Sequence, residues 1–123
     1  MIRGRVNQRL EPVVSVSILD DYDTEHSFEF ILDTGFSGHL TLPSDVIRRL
    51  GLDYSGQRAI ATADGFTHNV DVFTARVLLH ENVRPVFVIR LDSPPLLGMR
   101  SLLGCRLSMN VHAGGRVVVE ETF

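Results

Sequence analysis

Apolar and polar residues alternate with a period of two along much of the chain, as they do in strands with one dry and one wet side. In Pro12 to Leu19, Val14, Val16 and Ile18 fall on one face and Ser15 and Ser17 on the other. The cluster Asp20-Asp21-Tyr22-Asp23 has turn composition, and Ser27 to Leu32 resumes β-type residues, so a hairpin is predicted. On its second strand Phe28, Phe30 and Leu32 share a face, while Ile31 and Asp33 share the opposite one.

A short strand, His39 to Leu42, leads into Pro43-Ser44-Asp45-Val46-Ile47-Arg48-Arg49-Leu50-Gly51. Ser44 suits an N-cap, Asp45 a helix start, Arg48 and Arg49 a helix end, and Gly51 a stop, which together predict a helix of about two turns. Arg58 to Thr62 and Phe66 to Leu79 flank Ala63-Asp64-Gly65, and Asp-Gly between two such runs predicts a hairpin tip. Arg84 to Leu91 is apolar on both faces, as a strand enclosed on both sides would be, with Pro85 at its beginning or on an edge. Pro94-Pro95 breaks the chain, Leu96-Leu97-Gly98 reads as a short buried segment, and Met99 to Leu107 has the Leu spacing of a short helix. A last hairpin is predicted from Leu107 to Val111 and Arg116 to Glu120, turned by Ala113-Gly114-Gly115. Many short strands with one or two short helices describe a mainly β, closed domain.

The chain has 123 residues, which fits one domain over 1–123, and its 44% hydrophobic and 22% charged composition is that of a globular protein. A net charge of −3 gives no general attraction to phosphate or anionic lipid, so nucleic acid and membrane partners are not expected. Cys105 is the only cysteine, which excludes an intrachain disulfide and a zinc site built on cysteine pairs. The basic start, Met1 to Asn7, is followed by no apolar run of signal-peptide length, and no stretch of membrane-spanning length occurs, so the expected location is cytoplasmic.

The apolar run Phe28 to Leu32 ends in Asp33-Thr34-Gly35, placing a carboxylate where a buried strand opens into a loop. Two carboxylates close together cannot both ionise readily, and a shared proton lets one act as base toward a water while the other donates to a carbonyl. Thr34 offers a hydroxyl to fix the loop, and Gly35 lets backbone amides approach the carboxylate without an intervening side chain. The same tripeptide also suits an Asx turn at a strand end, and alone it is weak evidence.

The order of elements is more specific. An apolar strand, Asp-Thr-Gly, a short strand and helix, an Asp-Gly hairpin, and an apolar-apolar-Gly segment before a short helix follow one another. That order resembles the retropepsin-like, or clan AA, aspartic peptidases, and closely resembles small bacterial members written Asp-Thr-Gly-Phe-Ser-Gly. The likeness is carried by Ile31 to Gly38, Leu40 to Leu52, Ala63-Asp64-Gly65 and Leu96-Leu97-Gly98-Met99. It implies a retropepsin-like acid-protease barrel and an aspartic endopeptidase acting on peptide substrates without a cofactor. Asp33 would be the catalytic residue, Thr34 and Gly35 its loop, and Ala63, Asp64 and Gly65 the tip of a flap over the substrate. A single Asp-Thr-Gly per chain then requires a homodimer.

Two positions depart from the family pattern. Phe36 stands where Ala or Ser is common and cannot donate a hydrogen bond to the outer oxygen of Asp33, and Arg100 stands where Asp or Asn often supports the second helix. The alternative reading is a non-catalytic peptide-binding or scaffolding module on the same fold. His26, His39, His68, His80 and His112 fall in no metal-ligand spacing, and no metal is expected. Asp20, Asp21 and Asp23 lack the rest of a calcium loop, Gly114-Gly115 precedes no helix that would cradle phosphate, Cys105 reads as core, and Ser37 has no His partner at useful spacing.

Overall fold

A computed structural model describes residues 1–122. Ten strands run in chain order as β1 (Ile2–Val6), β2 (Pro12–Leu19), β3 (Glu25–Leu32), β4 (Leu40–Leu42), β5 (Asp53–Ala61), β6 (Thr67–Leu79), β7 (Asn82–Arg90), β8 (Leu96–Leu97), β9 (Cys105–Met109) and β10 (Arg116–Glu121). One helix, α1 (Ser44–Leu50), follows β4, and a single 3-10 turn, Met99–Leu102, follows β8. No helix is long and apolar enough to cross a membrane.

The strand order β6-β7-β4-β8-β3-β2 closes on itself because β2 also pairs with β6. β2 manages three neighbours by dividing one edge. Pro12 to Val14 pair with β1 and Ser17 to Leu19 with β6, while the other edge pairs with β3 throughout. The predicted alternation puts Val14, Val16 and Ile18 inside this ring together with Phe30, Leu32, Leu40, Leu42, Val77, Val88 and Leu97, all of them buried. Closure spares the two ends of this six-strand ring, β6 and β2, from being free edges, and the sheet's remaining edge strands are β5 and β9. β1, β10 and β9 extend from β2 as an outer arm, whose Val6, Val117 and Val119 join the same core.

Three local expectations are corrected. Ser44 is the first residue of α1 rather than its cap, and Pro43 holds the cap position with no side-chain bond to the helix. Asp92 takes over the capping work, accepting from the Ser44 N–H at 2.8 Å and from its hydroxyl at 3.1 Å. The Ser44 N–H holds the Asp92 carboxyl below the usual carboxylate range, with the hydroxyl adding to the effect. The helix end is as expected: Gly51 is left-handed at φ 66, and Gly51 N–H to Arg48 O with Leu52 N–H to Ile47 O forms a Schellman closure.

The helix expected over Met99 to Leu107 is only the 3-10 turn. Gly104, at φ 80, ends it, and Cys105–Met109 is strand β9, in which Leu107 sits opposite Val119. Cys105 therefore packs from a strand, not a helix. The start of the chain is strand β1, whose Gly4 lies so close to the Val13 carbonyl that a Cβ there would overlap it. Finally, β7 is not dry on both sides: Val86, Val88 and Ile89 are buried, but Phe87 is 44% exposed. Pro85 falls before Val88, where β4 joins β7, so the outer edge of β7 is free at that point.

Candidate functional site

Asp33 lies just after β3, the strand that carries Phe30 and Leu32 into the core, so its position is set by buried residues. Asp33 itself is half-buried, and Thr34 and Gly35 are exposed. Its Oδ1 accepts the Gly35 N–H at 2.9 Å while its carbonyl accepts the Phe36 N–H at 3.1 Å. That is an Asx turn, and it holds the carboxylate in place through one oxygen. Oδ2 accepts nothing from the described residues. A Cβ at Gly35 would stand 3.2 Å from Oδ1, so a larger residue there would crowd the carboxylate. Among the described residues the Thr34 hydroxyl has no hydrogen-bond partner.

The loop from Asp33 to His39 is clamped by the segment from β8 through the 3-10 turn. Asp33 N–H donates to Leu97 O (3.0 Å), Gly98 N–H to His39 O (2.8 Å), Met99 N–H to Phe36 O (2.8 Å) and Arg100 N–H to Gly38 O (3.1 Å). The buried Ser101 hydroxyl donates to His39 O at 2.8 Å. This supplies, one residue further along, the support that Arg100 was expected to withdraw. β8 is in turn held by Thr41, whose hydroxyl accepts the Leu96 N–H at 3.0 Å. The Phe36 ring occupies space left by two glycines, since a Cβ at Gly38 or at Gly98 would stand 2.7 or 2.6 Å from its ring carbons.

Ala63, Asp64 and Gly65 form the exposed tip of the β5–β6 hairpin, as predicted. Residues Thr67 to Asp71 of β6 pair with β5 alone, because β7 joins only from Val72, so the hairpin projects beyond the barrel. Its tip is tied internally: Thr62 N–H donates to Phe66 O and Gly65 N–H to Thr62 O, both at 3.0 Å. Asp64 Oδ1 accepts from the Thr62 hydroxyl and from the Phe66 N–H, and these bonds, the hydroxyl first, hold its carboxyl below the usual range. Within one chain the tip does not meet Asp33 through any hydrogen bond among the described residues.

What joins the hairpin to the Asp33 loop is a cavity of about 240 Å³, bounded by Ser37, Gly38 and His39 after the loop, Arg58 on β5, Phe87 and Ile89 on β7, and Arg100 on the 3-10 turn. The predicted strand at His39 starts instead at Leu40, which frees the His39 ring to line this cavity. His39 Nδ1 accepts the Phe87 N–H at 3.2 Å. Burial lowers the His39 pKa, and the charges of Arg100 and Arg58 lower it further. His39, Arg58 and Phe87 were not singled out from sequence. The available signal was Phe87, a large apolar residue on the face of β7 opposite Val86 and Val88.

The sequence profile of the family described as Aspartyl protease matches residues 14–104, from the first buried residue of β2 to Gly104, just past the 3-10 turn. The chain belongs to the aspartyl protease family. The backbone is similar to the crystal structure of a retropepsin-like aspartic protease from Rickettsia conorii, with a TM-score of 0.62 and 15% identity over 96% of this chain and 88% of that one. A comparison with curated proteins gave no match. The mainly β fold is thus retropepsin-like, and family and fold together support a peptidase-type hydrolase.

Other residues of this aspartyl protease family member stand apart from the Asp33 loop. Cys105 Sγ lies 3.4 Å from His80 Nε2. Burial raises the thiol pKa, with Glu121 adding to it, and burial lowers the imidazole pKa, so the pair is a neutral thiol beside a neutral ring rather than an activated nucleophile. Asp20 closes the β2–β3 turn by accepting from the Tyr22 and Thr24 N–H groups and pairing with His26 at 2.8 Å. Among the described residues no three His, Cys, Asp or Glu side chains converge as a metal site.

Proposed function

We propose that the chain is one half of an aspartic endopeptidase, completed by a second copy of itself. The observation that carries this reading is the Asp33 carboxylate, anchored through Oδ1 by the Gly35 N–H, clamped from β8, and left with Oδ2 free on an exposed turn. A twofold partner facing that turn would bring a second Asp33 beside the first, with the unpartnered Thr34 hydroxyls available to bond across the junction. Two such carboxylates share a proton, and a water held between them loses its proton to one as it attacks the peptide carbonyl while the other protonates the carbonyl oxygen. The product of that step is a neutral tetrahedral intermediate with no covalent enzyme adduct, and no cofactor enters. The projecting hairpin with Ala63, Asp64 and Gly65 at its tip would cover an extended peptide and exclude water.

Phe36 favours a second reading, a peptide-binding module without cleavage, because it offers no donor to the free oxygen of Asp33. A mixed peptide library assayed with wild-type protein and with Asp33→Asn, at mildly acidic and neutral pH, separates the two. Cleavage lost on substitution, with the fold retained by circular dichroism, supports the peptidase. Cleavage unaffected by Asp33→Asn removes the catalytic assignment, and binding without cleavage in both proteins supports the module. Sedimentation over a range of concentrations tests the dimer, since a monomer cannot assemble the pair.

A further inference from the structure

We propose that the cavity beside the Asp33 loop is a subsite for an acidic side chain of the peptide substrate, with Arg58 and Arg100 as its specificity-determining residues. The proposal rests on the peptidase reading and specifies its substrate class. At about 240 Å³ the cavity lies below the range of about 300–1,000 Å³ typical of small-molecule sites, and suits a single side chain. Its position fits a residue close to the bond cleaved, because Ser37 and Gly38 follow the Asp33 turn directly in the chain.

The chemistry of the lining points to a carboxylate. The chain carries a net charge of −3, yet no Asp or Glu lines this cavity, while two arginines and a histidine do. Among the described residues neither Arg58 nor Arg100 has a carboxylate within ion-pair distance. Arg76 on β6 and Arg84 and Arg90 on β7 are the arginines that do have one among the described residues, so the position beside the Asp33 loop, not the missing ion pair, sets Arg58 and Arg100 apart. The positive field is felt locally, since both guanidinium groups disfavour protonation of His39. With Nδ1 accepting from the Phe87 N–H, the neutral ring carries its proton on Nε2, which adds a donor without adding charge. A guanidinium matches a carboxylate with two parallel bonds, and such charge-assisted pairs are among the strongest available to a shallow site.

The two arginines are also mounted differently. The Arg100 backbone is tied to Gly38 O, so its side chain springs from the clamped segment, whereas Arg58 sits opposite Val70 on the projecting hairpin. A carboxylate bound by both would tie hairpin closure to recognition of the acidic residue.

The test uses peptides that differ only by Glu, Gln or Lys, scanned through the positions flanking a cleaved bond, each with a free and an amidated C-terminus. Wild-type protein, Arg58→Gln, Arg100→Gln and Arg100→Glu are compared, with folding checked by circular dichroism. At one position wild type is expected to prefer Glu over Gln by about tenfold in kcat/KM, a preference that shrinks in high salt. Each Gln variant should reduce it, and Arg100→Glu should turn it toward Lys. Equal cleavage of Glu and Gln peptides by wild type overturns the subsite, as does a preference unchanged in all the arginine variants. A preference that follows the free C-terminus instead of the side chain overturns the assignment to an acidic residue. Binding of the same peptides is measured by fluorescence anisotropy on Asp33→Asn protein, with and without Arg100→Glu. If nothing is cleaved, the peptidase reading fails on its own. The subsite then stands on a Glu-over-Gln binding preference that Arg100→Glu abolishes, and it falls if the two peptides bind equally or not at all.

Discussion

Replacing Gly98 by Ala is expected to disturb the Asp33 loop. Gly98 has φ −96 and ψ 176, extended backbone open to any residue, so Ala brings no backbone strain. By restricting the unfolded chain alone, it would stabilise by about 0.4–1 kcal/mol. Packing acts in the opposite sense. The new Cβ would overlap the carbonyl oxygen of Gly38 and stand 2.6 Å from Phe36 Cδ2 and 2.8 Å from Phe36 O. Carbon–carbon contacts settle at about 3.5–4.0 Å, so about 1 Å of room must be found. The Phe36 ring can turn, but the two carbonyls are held by the Met99 and Arg100 N–H groups and cannot move without releasing the clamp. Overpacking of this kind costs about 1–3 kcal/mol, so after the chain-entropy gain the net effect runs from about zero to a loss of about 2.6 kcal/mol. A shift of about 1 Å in the loop would lower peptide turnover by about 100-fold. Urea unfolding reads the first effect and kcat on a cleaved peptide the second, both on protein shown to be folded. Adding Phe36→Leu should not restore either, because the oxygens remain. An unchanged midpoint together with unchanged kcat would refute the reasoning.

Other outcomes follow from the same geometry. The His80 ring is 5% exposed, its Nδ1 has no hydrogen-bond partner, and burial lowers its pKa against the opposing charge of Glu121. The folded state therefore binds this proton more weakly than the unfolded one. Its contribution to stability is complete above the unfolded value of about 6.5 and is lost as pH falls from there through the folded value. His80→Asn, which tolerates the residue's φ of 51, should flatten that part of the pH–stability curve measured by urea midpoints, and an identical slope in the two proteins would sink the explanation. Thr41→Val should cost about 1–3 kcal/mol, because Thr41 is 3% exposed and its loss strands the Leu96 N–H at the edge of the clamp, and thermal melts of the two proteins would check it.

Much of the site was legible before any coordinates. Asp33 could be placed because the alternation of Phe28, Phe30 and Leu32 fixes which face of β3 is dry, and because Asp-Thr-Gly is turn chemistry at the point where that strand leaves the core. The hairpin tip at Ala63-Asp64-Gly65 followed from the same logic, since Gly65 adopts φ 85 there. Where reading failed, a distant contact had replaced a local one. Ser44 has the side chain of a cap, but Asp92, 48 residues away, bonds its backbone instead. Leu102, Leu103 and Leu107 have helical spacing, yet pairing with β10 draws Leu107 into a strand. The alternation Ile2-Arg3-Gly4-Arg5-Val6 is itself a strand signal, but two arginines in five residues also give it the look of a basic, solvated start.

The sequence by itself determined the β2–β3 and β5–β6 hairpins, the dry faces of β2 and β3 and the position of the Asp-Thr-Gly loop, because alternation and turn preference act over a few residues and need no partner. Only the tertiary structure decided that β6 returns to β2 to close the ring, that Gly38 and Gly98 make room for Phe36, and that Arg58 and Arg100 face one cavity with His39. Those outcomes depend on which distant segments pack together. Hydrophobic burial favours every closed arrangement that hides the same apolar faces, so the choice among them falls to shape and hydrogen bonding across the whole chain.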